Sequence, residues 1–230
     1  MTGLARSVAS SPGPRWLYMH GFASGPGSRK AVALAEHFAG RGIEVARLDG
    51  RVPSFERWRL SAMIDVIRGA IGDGPDRAVV FGSSLGGLAA ARAAEEDARI
   101  CALVLLAPAF RIADRWPLRI GADAFRAWEE TGWIEVHDHA HGAPARMHFD
   151  FIRDAREVDS RSGGWPDVRV PTLVVHGARD DVVDPALSRA WAAGKRHVRL
   201  VEVDDEHELA ASIPIIIARA EEFLAGFLGG

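Results

Sequence analysis

The stretch from Val79 to Gly87 constrains the fold of this chain more than any other part of its sequence. It reads VVFGSSLGG, an apolar run typical of a buried strand that closes on two serines and is followed by the strong helix former LAAARAA. Glycines on either side of the bend let a strand and a helix approach more closely than Cβ atoms would allow. The sequence therefore predicts a strand that turns at once into a helix, with a serine at the bend.

The pattern Gly-x-Ser-x-Gly fits this stretch in one register. Ser84 is its central residue, between Gly82 and Gly86, because centring the pattern on Ser83 would require a glycine at Phe81. At such a bend the serine adopts a strained conformation, and the N–H groups that begin the helix point towards negative charge developing beside its hydroxyl. Alone, the pattern is equally compatible with a turn that has no chemistry, so the rest of the chain must decide.

Size and composition predict one soluble α/β domain. The chain has 230 residues, of which 48% are apolar and 26% charged, and this is enough for a substantial core. A net charge of -3 gives no electrostatic reason to expect a nucleic acid or an anionic membrane as partner. No stretch reaches the roughly 20 apolar residues of a membrane span. The single cysteine, Cys101, lies in an apolar run and is expected to be a buried, unreactive thiol.

Residues 1–14 are expected to form a flexible tail ahead of a domain at 15–230. They are rich in Ser, Gly and Pro and contain no apolar segment typical of a secretory signal. We therefore expect the protein to be cytoplasmic. The oligomeric state is left open by the sequence.

Strands alternate with helices along most of the chain. This alternation predicts parallel βαβ units, a sheet covered by helices on both faces, and a ligand site at the carboxyl ends of the strands. The predicted strands are 15–19, 43–48, 77–81, 100–106, 172–176 and 198–203, and the predicted helices are 28–39, 55–67, the segment after the bend, a helix opened by Pro185, and 213–227.

The alternation breaks between residues 110 and 165, where tryptophans and phenylalanines are mixed with charges. A helix is predicted at 123–131, and a hairpin from strands at 133–139 and 145–151. We interpret the whole segment as a cap over the carboxyl edge of the sheet. Its tryptophans either form a small core of the cap or line a substrate pocket.

Three histidines alternate near the hairpin turn: His137, His139 and His141, with Asp138 among them. A metal site and an exposed hairpin edge are both compatible with this pattern, and the exposed edge is the favoured interpretation. No metal is therefore assigned.

A serine nucleophile requires a base, an orienting acid and donors for an oxyanion, and candidates follow other strands. His207 comes directly after the last predicted strand and is the candidate base. Asp180 and Asp181 follow the preceding strand, and both are candidates for the acid. The run His20-Gly21-Phe22 follows the first strand, where a backbone N–H could complete an oxyanion hole, and His20 itself is expected to be structural.

The chain resembles the α/β-hydrolase superfamily from Trp16 to Phe227, because nucleophile, acid and histidine occur in the order typical of that fold. More narrowly, LYMHGFAS from residue 17 and GSRKA from residue 27 resemble small bacterial serine esterases that open with His-Gly-Phe-x-Ser. Only about fourteen residues precede the first strand, so the resemblance implies an α/β-hydrolase fold with a trimmed sheet of about six mostly parallel strands.

The resemblance also assigns roles to single residues. It implies Ser84 as nucleophile, His207 as general base, and the N–H groups of Phe22 and Leu85 as the oxyanion hole. The family pattern His-Gly-x-x-Asp-x-x-Val is matched from His176 onwards, which implies Asp180 rather than its neighbour as the acid.

The implied activity is hydrolysis of a small carboxylic ester or thioester through an acyl-enzyme intermediate, without a cofactor. Esters and thioesters suit this chemistry because their leaving groups are better than amines. The alternative is a non-catalytic relative of the α/β-hydrolases that binds a ligand or a protein. Such relatives usually lack a member of the triad, and all three are present here.

Overall fold

Eight strands and eight α-helices are formed within residues 13–228, the part of the chain that the computed structural model describes. A short 3₁₀ helix, Ala225–Phe227, follows the last of them. In chain order the elements are β1 (Arg15–Met19), α1 (Arg29–Ala39), β2 (Val45–Leu48), α2 (Leu60–Ile71), β3 (Ala78–Ser83), α3 (Leu85–Glu96), β4 (Ile100–Leu106), α4 (Ile112–Ile120), α5 (Ala122–Thr131), β5 (Trp133–Asp138), β6 (Ala143–His148), α6 (Asp150–Ser160), β7 (Thr172–Gly177), α7 (Pro185–Ala192), β8 (Val198–Val203) and α8 (Ile213–Phe223).

Six strands form one parallel sheet in the order β2-β1-β3-β4-β7-β8. The prediction of a mostly parallel sheet of about six strands is therefore confirmed. Because all six strands run in the same direction, the loops after β1, β3, β7 and β8 meet at one edge. The strand that leads to Ser84, β3, lies near the middle of the sheet, paired with β1 and β4.

The two faces of the sheet are covered by different helices. Alternate residues of β1 point to opposite faces, as the two-residue period of a strand requires. Leu17 and Met19 belong to the core that includes α2 and α3, whereas Trp16 and Tyr18 belong to the core that includes α1 and α8. All four side chains are buried, which explains why the strand reads as a continuous apolar run.

The segment between β4 and β7 contains the region that the sequence analysis interprets as a cap, and it is called the cap below. The antiparallel hairpin of β5 and β6 and the helices α4, α5 and α6 pack together, and α6 also packs on α2. Arg92 of α3 is buried and pairs with Asp159 of α6, 2.9 Å away. At the hairpin turn the N–H of Ala140 donates to the carbonyl of Ala23, at 3.1 Å. The cap therefore contacts α3 through this ion pair and the loop after β1 through this hydrogen bond.

Some predicted boundaries are wrong. Helix α2 begins at Leu60, so Phe55 and Trp58 lie in the preceding turn, although both pack against the same apolar core and so continue the helical spacing. In the cap, strand β6 ends at His148, and Phe151 belongs to α6, a helix that the sequence did not predict. Helix α4 was also missed, since it has only nine residues and Pro117 lies inside it.

The end of the last helix is a further correction. The last helix stops at Phe223, four residues before its predicted end, and the 3₁₀ helix continues from there. The predicted tail falls almost entirely outside the described residues. Within residues 13–228 no helix has the length and apolar character that crossing a membrane requires.

The turn between β3 and α3 depends on two glycines. A Cβ atom on Gly86 would lie 2.3 Å from the carbonyl oxygen of Met19, at the end of β1. A Cβ atom on Gly82 would lie 2.4 Å from the carbonyl oxygen of Gly86. A side chain at either position would force backbone atoms apart, so both positions require glycine. Because these two glycines have no side chains, the end of β1 and the first turn of α3 can both pack against this bend.

Gly86→Ala is expected to lower the free energy of unfolding by at least about 2 kcal/mol, because its Cβ would clash with the backbone of β1. Gly69→Ala in α2 is the matched control. Gly69 is exposed, and no atom lies within 4 Å of where its Cβ would be. Alanine there should leave the stability unchanged or raise it by up to about 1 kcal/mol. Urea unfolding measures both variants, and equal effects would contradict the close approach.

Candidate active site

Ser84 occupies the bend with a backbone conformation that a residue bearing a side chain rarely adopts. Its φ is 52° and its ψ is -116°. Neighbouring backbone holds it there: the N–H of Ser84 donates to the carbonyl of Leu106 at 2.8 Å, and its own carbonyl accepts from the N–H groups of Leu88 and Ala109. The strain is therefore imposed by β4, its following loop and α3 together, and it lifts the serine hydroxyl clear of the strand.

A chain of hydrogen bonds joins three of the predicted site residues. His207 Nε2 lies 3.0 Å from Ser84 Oγ, and His207 Nδ1 lies 2.7 Å from Asp180 Oδ2. The Asp180 side chain is fully buried, whereas Asp181 is exposed and makes no contact with the histidine. Of the two carboxylates that the sequence offered, the structure places Asp180 beside His207.

The surroundings of Asp180 keep its carboxyl group ionised. Its Oδ1 accepts from the N–H groups of Val182 and Val183, at 2.9 and 2.7 Å, and His176 Nε2 donates to Oδ2 at 3.1 Å. Burial by itself would raise the pKa of Asp180, but the hydrogen bonds from His176, His207 and Val183 outweigh it and hold the pKa well below its usual range. The carboxylate can therefore accept a hydrogen bond from the Nδ1–H of His207, and in this tautomer the Nε2 lone pair faces Ser84.

His176 lies near the end of β7 and is a hydrogen-bond partner of Asp180. Its Nε2 also contacts the carbonyl of Val183 at 2.9 Å, so this nitrogen carries the proton, and Nδ1 accepts from the hydroxyl of Ser188 at 2.8 Å. The specific bond to Asp180 was not predicted. The four-residue spacing between His176 and Asp180 was visible in the sequence, but it did not show that the loop would fold back.

The loops after β7 and β8 pack against each other closely. A Cβ atom on Gly177 would lie 2.4 Å from the carbonyl oxygen of Asp205, and the N–H of Arg179 donates to that same oxygen at 3.0 Å. The Asp205 carboxylate accepts from the N–H groups of Glu206 and Ser212. These contacts fix the position of His207 relative to Asp180.

The loop after β1 lies directly against the serine. A Cβ atom on Gly21 would be 3.1 Å from Ser84 Cβ. Within residues 13–228 the backbone N–H groups of Phe22 and Leu85 have no protein acceptor. One belongs to this loop and the other begins α3, so both are available to a negatively charged oxygen beside Ser84.

His20 holds the peptide that carries the Phe22 N–H. The N–H of Gly50 donates to His20 Nε2 at 3.0 Å, so Nδ1 carries the proton and donates to the carbonyl of Gly21 at 2.8 Å. Burial lowers the pKa of His20, which favours this neutral form. In a trans peptide the carbonyl and the next N–H point in opposite directions, so anchoring Gly21 directs the Phe22 N–H away from His20. The structural role expected of His20 fits this position.

A cavity of about 930 Å³ lies beside Ser84 and His207, between the sheet edge and the cap. One part of its wall is apolar and includes Phe22, Trp116 and Phe151. Of the cap tryptophans, Trp116 lines this cavity. Trp128 instead packs with Phe125 and Phe149, within the apolar core that also includes α2 and α3.

The histidines near the hairpin turn do not share one strand. His137 lies in β5, whereas His139 and His141 lie in the turn that follows it. The rings of His137 and His139 are 4.8 Å apart at the cavity wall, while His141 pairs with Asp138. Within the described residues, no group of three or more His, Cys, Asp and Glu side chains is arranged to hold a metal ion.

The family model of an uncharacterised protein family, UPF0227, matches residues 15–224. The chain belongs to UPF0227. The match spans the sheet, the cap and every residue of the hydrogen-bonded chain at Ser84. Among curated protein sequences, none matches this member of UPF0227.

Solved structures show the fold of this UPF0227 protein. Est1E from Butyrivibrio proteoclasticus is 22% identical, with a TM-score of 0.75, 96% of this chain covered and 91% of that one. The monoacylglycerol lipase of Paleococcus ferrophilus is 19% identical, with a TM-score of 0.74 and coverages of 93% and 96%. The esterase domain of a Rhodothermus marinus protein is 17% identical, with a TM-score of 0.67 and coverages of 96% and 90%. The chain has the α/β-hydrolase fold.

Asp180→Asn is expected to lower the free energy of unfolding at pH 7 by about 2 kcal/mol, because the buried hydrogen bonds lose their ionised acceptor. A carboxyl group whose pKa is lowered by folding stabilises the protein above the unfolded pKa of about 4, and this contribution is lost as the pH falls towards the folded pKa. The difference in free energy of unfolding between the native protein and the variant should therefore shrink as the pH falls below about 4.

The exposed neighbour supplies the control. Asp181→Asn should change the free energy of unfolding by less than about 0.5 kcal/mol throughout. Urea titrations at a series of pH values measure both variants. A deficit of Asp180→Asn that stays constant from neutral to acid pH would contradict the role of its charge.

Proposed function

We propose that this UPF0227 protein is a serine hydrolase that cleaves carboxylic esters or thioesters through an acyl-enzyme intermediate. One observation carries the proposal: a continuous hydrogen-bonded chain from the buried Asp180 through His207 to Ser84, which lies at a strained bend at the start of a helix. A turn without chemistry would not need a histidine and a desolvated carboxylate in line with its hydroxyl.

In the first half of the proposed reaction, His207 Nε2 takes the proton of Ser84 Oγ as this oxygen attacks the substrate carbonyl. The N–H groups of Phe22 and Leu85 donate to the oxyanion that forms, and each such donor contributes about 3 kcal/mol in comparable sites. The tetrahedral intermediate collapses when the bond to the leaving oxygen or sulfur breaks and His207 Nε2 gives it the proton. Asp180 stabilises the imidazolium that exists between these two proton transfers.

Water completes the cycle. His207 Nε2 accepts a proton from a water molecule as its oxygen attacks the acyl-serine, and the same two N–H groups stabilise the second oxyanion. Release of the carboxylic acid then returns the proton to Ser84 Oγ. Every proton and leaving group is accounted for by side chains of the protein and by water, so the mechanism needs no cofactor.

The structural relatives support the proposal at the level of their names. Two of them are called a monoacylglycerol lipase and an esterase domain. Because one fold can host many different reactions, the proposal of hydrolysis for this chain rests on the residues at the bend. The cavity of about 930 Å³ is large enough for an acyl group well beyond acetyl, and its apolar wall suits a hydrocarbon part of the substrate.

We further propose that residues 15–230 act as one catalytic domain, with the segment at 110–165 as a cap that encloses the acyl group. The cap supplies Trp116 and Phe151 to the cavity wall, while the sheet supplies Ser84 and His207. Selectivity for the acyl chain would therefore reside in the cap, and reactivity in the sheet.

Ser84→Ala is expected to lower kcat for short-chain p-nitrophenyl esters at least about a thousandfold, because it removes the nucleophile. The matched control is Ser83→Ala, which removes the adjacent hydroxyl and should retain activity within about tenfold. Initial rates measured by p-nitrophenol release report both. Wild-type turnover by Ser84→Ala, or equal losses in both variants, would contradict the assignment.

A further inference from the structure

Two cations that are largely withdrawn from water lie at the same cavity as Ser84. Arg115 comes from α4 of the cap and is half-buried, and Lys30 comes from the first turn of α1 and is only 9% exposed. The mechanism proposed above uses neither of them. A buried charge is unfavourable unless something compensates it, so their presence requires an explanation.

Arg115 has most of its hydrogen-bonding capacity free. A guanidinium has five N–H donors, and here its hydrogen bond is to the carbonyl of Val182. No carboxylate of the described residues lies within 4 Å of it. Burial lowers the pKa of Arg115, an effect that the charge of Asp180 opposes, and an arginine nevertheless remains protonated at neutral pH.

Lys30 is in a similar position. Its Nζ donates to the carbonyl of Glu208 at 2.6 Å, and within the described part of the chain it forms no ion pair. Burial lowers the pKa of Lys30, and the nearby carboxylates of Glu208, Asp180 and Asp205 oppose that shift. Two of its three N–H donors lack a protein acceptor there.

The side chains that line the cavity carry more positive than negative charge. Arg29 and Arg119 line the cavity as well, so its wall has four cations and two carboxylates, Glu135 and Glu208. The ionised Asp180 and Asp205 lie behind this wall, where they accept hydrogen bonds from His207 and from backbone N–H groups, so the excess is a property of the lining alone. Of the cap arginines that lie away from the cavity, some pair with a carboxylate, as Arg126 does with Asp123 at 3.2 Å, and others lie over an aromatic ring, as Arg146 does over Trp133.

From these contacts we infer that the cavity selects substrates bearing an anionic group, a carboxylate or a phosphate, on the acyl part, with Arg115 as the main specificity residue and Lys30 assisting. The inference rests on the proposed esterase function and adds a substrate class to it. A guanidinium fork binds a carboxylate or phosphate through two parallel hydrogen bonds, and it does so most strongly where water is excluded. The apolar wall at Trp116 and Phe151 would hold the chain between that anion and the scissile carbonyl.

The test compares matched esters on the same enzyme. The substrates are monomethyl esters of straight-chain dicarboxylic acids from succinic to sebacic acid, each against the neutral dimethyl ester of the same acid, with methanol release as the measurement. We expect kcat/KM for the carboxylate-bearing ester of the best length to exceed that of its neutral partner at least about tenfold. A parallel series with a terminal phosphate in place of the carboxylate shows which anion is preferred.

Two variants locate the effect. Arg115→Gln should remove the preference by raising KM for the anionic ester about tenfold or more, with kcat and the neutral ester little changed. Arg126→Gln removes the same charge from the cap outside the cavity and should retain the preference. Arg115→Lys keeps the charge but not the planar guanidinium, so this variant should retain only part of the preference for the anionic ester.

The outcomes separate the inference from the proposed function. Hydrolysis of neutral and anionic esters with equal kcat/KM would overturn the inference and leave the esterase proposal intact. If Arg115→Gln lowers kcat equally for both esters, the residue serves only to hold the Val182 loop that carries Asp180, and the inference is wrong. Failure to hydrolyse any ester would instead count against the proposed function.

Discussion

Ser84 adopts a backbone conformation that its side chain disfavours, and the surrounding structure is arranged so that it cannot relax. The loop after β3 is tied to the end of β4 through the N–H of Ser84, and to α3 through its carbonyl. Gly86 lets α3 press against the end of β1. Because the sheet core on both sides is rigid, relieving the strain would require moving β1, β4 and α3 together, which costs more than the strain itself.

The parallel sheet explains why the remaining groups converge on this bend. The strands β1, β3, β7 and β8 all end at the same edge, so Phe22, Ser84, Asp180 and His207 are brought together although they are far apart in sequence. Local hydrogen bonds then refine the positions: His20 orients one peptide of the β1 loop, and His176 with the N–H groups after Asp180 orients the acid. Each of these supporting contacts acts on a group of the proposed catalytic site.

The sequence predicted the sheet and the bend because both depend on local patterns. The apolar run of β4 has no competing period, and the bounds of β4 and β8 agree with the prediction. The sequence favoured Asp180 over Asp181 only through the family pattern, because both are aspartates that follow the same strand. What decides between them physically is the turn at Val182 and Val183, whose N–H groups fold back onto one carboxylate.

The cap was harder to predict, for a physical reason. Helix α4 has nine residues with Pro117 among them, and six of the eleven residues of α6 are charged, so both helices depend on packing, α6 on α2 and on α4. Arg115 gave no signal of its own among the many arginines of the chain, because its lack of a carboxylate partner is a property of the folded structure. The part of the protein that we propose selects the substrate is therefore the part that sequence patterns describe least well.

The central claim is that Ser84 Oγ is the nucleophile of this UPF0227 protein. Incubation with a fluorophosphonate, followed by proteolysis and mass spectrometry, tests it directly, since such probes form a covalent bond with an activated serine oxygen. We expect a single modification, on Ser84, and we expect it to be lost in His207→Ala, because without the base the hydroxyl is a poor nucleophile. Modification of Ser83 instead, or equal labelling of the native protein and His207→Ala, would contradict it.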